Sequence, residues 1–169
     1  MDNSARRVAF LGLMTAVALI LHLVEMSVPR PLPWMKLGLG NGAVLATLLL
    51  FGAVPAATVG VAKLVVGGLL SGGLGGPAFV IGSAGGAASL LVMITLRALV
   101  PRLFSPVGLS VAGAVVHQVT QLLVAEAYLA QAGLFQLLPL FLVGGVISGL
   151  LTGAATYYAV RHLARLPLR

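Results

Sequence analysis

Long apolar runs are the feature that most constrains this chain. They occupy most of its 169 residues and are separated by short stretches rich in glycine, proline or arginine. The sequence is 60% hydrophobic and only 8% charged. A water-soluble domain of this size leaves a large surface facing water, and this chain lacks the polar residues to cover it. We therefore predict an all-α integral membrane protein that forms a single transmembrane domain over residues 1–169.

The apolar runs predict six transmembrane helices. Each run is apolar enough for a membrane interior, although two are short. A signal peptide also begins with basic residues such as Arg6 and Arg7, but no small-residue cleavage site follows the first run, so we interpret it as an uncleaved span. The expected bounds of the spans are 8–24, 43–54, 56–70, 79–96, 107–128 and 137–160.

The arginines decide the topology around Pro55, which interrupts an apolar stretch that is either one kinked helix or two short ones. Two helices bring seven of the eight arginines to one side and leave Arg30 on the other, whereas one kinked helix places the 97–102 loop opposite the N-terminus. The positive-inside rule then favours six spans with both termini cytoplasmic, in the inner (cytoplasmic) membrane. Contact with anionic lipid headgroups, rather than with nucleic acid, explains the net charge of +7.

A proline-, tryptophan- and glycine-rich segment, residues 31–42, lies between the first two runs. Its two prolines exclude a regular helix at its start. A plain surface turn does not require Trp34 and Lys36. Two interpretations remain open: an interfacial loop anchored by Trp34, with Lys36 reaching to lipid headgroups, or a lid over a binding site.

Lys63 lies in the middle of the third predicted span. A charge near the bilayer centre costs about 2.5–3.5 kcal/mol on insertion scales. The lysine either forms a buried ion pair with Glu25 or Glu126 or holds an anionic substrate. The two interpretations are compatible if a substrate displaces the carboxylate.

The fifth span carries a second group of polar residues. At about 100° per residue, His117, Gln121 and Tyr128 share one stripe, Gln118 lies to one side, and Glu126 lies on the opposite face. Interhelical hydrogen bonds would explain one such residue. Three on a stripe favour the lining of a pocket. We predict one pocket formed by Trp34, Lys36, Asn41, Lys63, His117 and Gln121.

Small residues spaced four apart mark expected helix contacts, because they let two helix backbones approach closely. The first helix has such a pair, on which we expect a partner helix to dock. The pairs are Gly12–Ala16, Gly82–Gly86 and the overlapping Gly145–Gly149–Gly153.

Four sequence motifs resemble one known family. They are the segments Lys36–Asn41, Ser83–Met93, Gly113–Ala125 and Leu137–Gly153. Their order and spacing resemble the Gx transporter family, which also carries the name heptaprenyl diphosphate synthase component I. The resemblance implies a six-helix bundle similar to the S components of energy-coupling factor (ECF) transporters. Such proteins bind vitamins or related small molecules from outside, under a lid formed by the first extracellular loop. The resemblance also implies contact with an ECF T component and its ATPase subunits through small residues of the first helix, which Gly12 and Ala16 supply here.

The acidic residues bear on the synthase name. Prenyl diphosphate synthesis needs Mg²⁺ held by clustered carboxylates, but this chain has one aspartate, Asp2, and two isolated glutamates. It also has no cysteine and only scattered histidines, so we expect no metal, no cofactor and no catalytic residue. We predict the substrate-binding membrane protein of an ECF-type uptake system for a small anionic or isoprenoid-related molecule. The alternatives are a non-catalytic membrane subunit that assists polyprenyl diphosphate synthesis, or a helical scaffold without a ligand.

Overall fold

The computed structural model describes residues 3–27, 38–131, 133–163 and 165. Within these residues the chain forms six α-helices and one 3₁₀ helix, and no strand. The helices are α1 (Asn3–Ser27), α2 (Leu39–Phe51), α3 (Ala53–Leu70), α4 (Pro77–Leu99), α5 (Pro106–Leu129) and α6 (Leu138–Leu163), with the 3₁₀ helix at Leu134–Leu137.

The outer surface of the bundle is apolar. Helices α1, α3, α4, α5 and α6 are long and apolar enough to cross a membrane. Large aliphatic side chains stand on their outer faces, among them Leu13, Val61, Leu91 and Leu151, which are 55%, 60%, 66% and 65% exposed. Apolar patches of this extent mark contact with lipid rather than with water. The chain is a multi-pass helical membrane protein.

Helix α2 is short and lies at the centre of the bundle, in contact with the five other helices. Its 13 residues span about 20 Å, less than the roughly 30 Å of a bilayer's hydrocarbon core. The whole segment 43–48 is buried, as expected of a helix that is hydrophobic on all sides. Residues of α2 are therefore well placed to build an internal site.

The break between α2 and α3 falls at Gly52 rather than at the predicted Pro55. Gly52 has φ 93° and ψ −171°, a conformation open mainly to glycine. Pro55 lies in the first turn of α3, where its missing N–H removes no helical hydrogen bond. The Arg97 guanidinium donates to the carbonyl of Leu49 at 3.1 Å, so α2 ends with one of its last carbonyls satisfied. The expectation of two short helices is confirmed, with bounds moved by a few residues.

One end of the bundle, which we call the arginine end, holds the start of α1, the α2–α3 junction, the α4–α5 loop and the end of α6. The rings of Phe10 and Phe51 lie 4.4 Å apart there, and Phe104 and Leu163 pack into the same apolar cluster. All arginines of the described segments lie on elements of this end, at positions 6, 7, 97, 102, 161 and 165. Their common placement agrees with the charge argument for separate α2 and α3.

Glycine allows the backbones of α5 and α6 to touch. A Cβ on Gly149 would lie 2.6 Å from the Cα of Val111, and one on Gly153 would lie 2.8 Å from the Cα of Val107. The predicted contact through the Gly145–Gly153 spacing is confirmed. Gly86 differs, because a Cβ there would come no closer than 3.9 Å to any neighbour.

Candidate functional site

Five polar side chains from four helices surround one small cavity, away from the arginine end. His22 and Glu25 come from α1, Asn41 from α2, Lys63 from α3 and His117 from α5. We call them the polar cluster. Glu25, Lys63 and His117 are only 2%, 6% and 5% exposed. The cavity itself measures about 20 Å³, enough for about one water molecule.

Two short hydrogen bonds order the cluster. The Lys63 ammonium donates to Oδ1 of Asn41 at 2.5 Å. The backbone N–H of Gly38, the residue before α2, donates to Oε1 of Glu25 at 2.6 Å. Gly38 has φ 82°, which favours glycine. A Cβ on Gly40 would lie 3.2 Å from Cδ of Lys63, so the lysine stem runs tightly beside the start of α2.

Glycines make room for the two imidazoles. A Cβ on Gly67 of α3 would lie 2.9 Å from Cδ2 of His22. A Cβ on Gly85 of α4 would lie 3.1 Å from Nδ1 of His117 and 2.8 Å from Cγ of Gln121. Both rings therefore lie directly against a neighbouring helix backbone, and a larger residue at either glycine would push a ring away.

The structure brings together three of the six residues predicted for the pocket. Asn41, Lys63 and His117 line the same cavity. Gln121 is fully buried one turn along α5, but it is not among the residues that line this cavity. Trp34 and Lys36 lie outside the described residues.

The polar stripe on α5 divides in the fold. Tyr128 is 50% exposed, since it lies near the end of α5. Gln118 is buried and packs towards α6, where a Cβ on Gly145 would lie 3.2 Å from its Cγ. Glu126 accepts a hydrogen bond from the N–H of Phe135 at 3.1 Å. Of the two glutamates considered as partners of Lys63, Glu25 is therefore the one that shares its cavity.

His22 and Glu25 are cluster residues that the sequence did not assign to the pocket. A signal was present, because residues three apart lie on one face of a helix. Both residues stand near the end of α1 that precedes the proline-rich segment. The two side chains face the bundle interior and are buried, at 8% and 2% exposed.

The small residues of α1 face outward. Gly12 and Ala16 are exposed, and no atom lies within 4 Å of a Cβ on Gly12. Ala5 and Ala9 are exposed as well and extend the same small-residue face towards the arginine end. The sequence prediction missed this second pair. The α1 face is therefore open within the described part of the chain.

The cluster combines one ammonium, one carboxylate, one amide and two imidazoles. These groups hold polar or charged atoms by hydrogen bonds and charge. The described residues contain no group of three His, Cys, Asp or Glu side chains placed to hold a metal ion.

Comparison with known families places the chain. Over residues 14–159 it matches the family described as heptaprenyl diphosphate synthase component I. The chain belongs to this family. The match includes every residue of the polar cluster and excludes the arginines before residue 14 and after residue 159. No curated protein and no solved structure matches this member of the component I family with significant similarity.

Proposed function

We propose that this protein is the substrate-binding membrane component of an ECF-type uptake system and that the polar cluster is its binding site for a small anionic molecule. The observation that carries the proposal is Lys63, a buried charge in a membrane helix. Such residues are expensive to insert and mark functional sites by default. Four further polar side chains gathered around Lys63 give the site its specificity.

The arrangement of the bundle supports binding from outside. The cluster lies away from the arginine end, which the positive-inside rule places in the cytoplasm. Substrate then enters from outside the cytoplasmic membrane, where the segment that carries Trp34 and Lys36 acts as a lid. Gly38 follows that segment in the sequence and donates to Glu25, so a hydrogen bond links the start of α2 to the cluster.

The exposed face of α1 is the proposed contact with an ECF T component, which carries the ATPase subunits. Gly12 and Ala16 would let a partner helix approach closely. The open space around Gly12 supports this assignment, because a face already packed within the bundle would be unavailable to a partner.

A second candidate function is a non-catalytic membrane subunit that assists heptaprenyl diphosphate synthesis. The family description favours it. Diphosphate chemistry needs Mg²⁺ bridged by several carboxylates, and Glu25 and Glu126 serve separate parts of the fold. Under this candidate the carboxylates that hold Mg²⁺ belong to another chain.

Affinity purification of the full chain from its native membranes separates the candidates. Co-purification of a membrane T component with ATPases supports the uptake role. Co-purification of a soluble prenyl synthase supports the second candidate. A known ECF complex, purified in parallel, shows that the conditions preserve such assemblies. If this protein is then recovered without a partner, the result contradicts both candidate functions and favours a helical scaffold. Gly12→Leu provides a control, because it should release a T component but leave the fold intact.

A further inference from the structure

An apolar groove of about 250 Å³ runs between α3 and α4 and begins at the polar cluster. Val61 and Leu91 stand at its rim and are 60% and 66% exposed. The groove therefore opens sideways on the surface that faces lipid. Leu64, Leu90 and Ile94 form part of its wall.

The glycines in the groove are not needed for helix packing. A Cβ on Gly60 would come no closer than 3.6 Å to a neighbour, and one on Gly86 no closer than 3.9 Å. The glycines at true helix contacts differ, since a Cβ on Gly85 would lie 2.8 Å from a side chain and one on Gly149 2.6 Å from backbone. The absence of side chains at Gly60 and Gly86 enlarges the groove.

One end of the groove is polar. Asn41, Lys63 and Ser89 line it there, and Lys63 is the only charged residue among the described residues that line the groove. Asn41 and Lys63 also line the small cavity of the polar cluster. A molecule in the groove would therefore place one end against an ammonium, an amide and a hydroxyl, with the rest of its length among aliphatic side chains.

We infer that the ligand is a single-chain amphiphile with an anionic headgroup, a carboxylate or a phosphate, whose tail lies in the α3–α4 groove. The inference rests on the proposed function, because it uses the same cluster as the head site. A cavity of 150 Å³ holds the six carbons of benzene, so this groove has room for about ten carbons. The headgroup enters the cluster from the outer side, and the tail passes sideways between Val61 and Leu91 into the groove.

The headgroup decides the affinity of such a ligand. Moving the tail from lipid into an apolar groove contributes little binding free energy, because lipid tails are as apolar as leucine. The contacts with Lys63 and Asn41 are what the bilayer does not offer. The groove in turn selects by length and shape, since a short anion leaves it empty.

Photolabelling of the full chain in phosphatidylcholine nanodiscs tests this inference. The probe is decanoic acid with a photoactivatable diazirine at the end of its chain, and mass spectrometry locates the labelled peptides. We expect labelling of α3 and α4, displaced by decanoate or decyl phosphate. 1-Decanol, which lacks the charge, and butyrate, which lacks the tail, should compete at least tenfold less well. Whichever of the two anions displaces the probe more strongly identifies the headgroup.

Two matched substitutions separate the groove from general lipid contact. Ala87→Trp fills the α3–α4 groove and should reduce labelling at least tenfold. Ala155→Trp places the same side chain in a different apolar groove, between α1, α2 and α6, and should leave labelling unchanged. Leu91→Trp at the groove rim is a second blocking variant, and melting temperatures confirm that each variant is folded.

The outcomes distinguish this inference from the proposed function. Butyrate that competes as well as decanoate, with labelling lost in Lys63→Met, would refute the tail groove and leave the head site standing. Labelling that is equal in Ala87→Trp and Ala155→Trp would also refute the groove. Labelling and competition that are unaffected by Lys63→Met would contradict both the inference and the proposed site.

Discussion

Replacing Lys63 by methionine tests whether Glu25 balances its charge before a ligand binds. The two side chains line the same cavity and are 6% and 2% exposed. Removing one partner of a buried ion pair costs about 3–5 kcal/mol. Lys63→Met also leaves Oδ1 of Asn41 without its lysine donor, which costs about 1–3 kcal/mol and is included in that range. We therefore expect the free energy of unfolding to fall by about 3–5 kcal/mol in the absence of ligand.

A second substitution should restore much of this loss. Glu25→Gln removes the uncompensated charge and keeps an oxygen for the N–H of Gly38. The double variant should then retain mainly the cost at Asn41, about 1–3 kcal/mol, so the rescue is roughly 2 kcal/mol, within the range of coupled neighbours. Reversible unfolding in mixed micelles measures these values for the two single variants and the double variant.

Glu126→Gln is the matched control for that experiment. Glu126 carries the same charge but accepts from the N–H of Phe135, away from the cluster. Combined with Lys63→Met it should give no rescue. A Lys63→Met/Glu25→Gln protein no more stable than Lys63→Met alone would refute the idea that Glu25 balances Lys63.

Three further predictions concern packing, topology and assembly. Gly149→Ala should lower the free energy of unfolding by about 1–3 kcal/mol, because the new Cβ would clash with the backbone of α5. Gly86→Ala should be neutral or stabilising by up to about 1 kcal/mol. Equal effects of the two substitutions would contradict the packing described. The chain has no cysteine, so Leu74→Cys should react with an impermeant thiol reagent added outside intact cells and Leu103→Cys should not; the reverse pattern would overturn the orientation. Gly12→Leu should abolish co-purification of a T component without changing the melting temperature, and normal co-purification would refute the docking face.

The fold was largely predictable from the sequence because apolar length and charge determine how such a chain crosses a membrane. Six helices and a common end for the arginines of the described segments follow from these two properties. The position of the α2–α3 break did not follow. The sequence suggests a break at Pro55, but a proline in the first turn is compatible with a helix. The positive φ of Gly52 depends instead on how α2 packs at the centre of the bundle.

The candidate site was predictable only in part. Lys63, Asn41 and His117 stand out as polar residues in apolar surroundings, so the sequence indicated them as members of one pocket. That His22 joins them depends on α1 packing against α3, where Gly67 admits the ring, and such long-range contacts leave no local pattern. The groove beside Gly60 was hidden for the same reason, because glycine spacing is similar at helix contacts and at gaps.

The central claim is that the polar cluster holds a small anionic ligand. Mass spectrometry of small molecules released from the purified protein, compared with Lys63→Met and His117→Ala, tests it most directly. We predict that the wild-type protein releases an anion that is depleted at least tenfold in both variants, while both remain folded when purified. Recovery of the same molecules in equal yield from all three proteins would contradict the claim and place the binding site, if the protein has one, elsewhere.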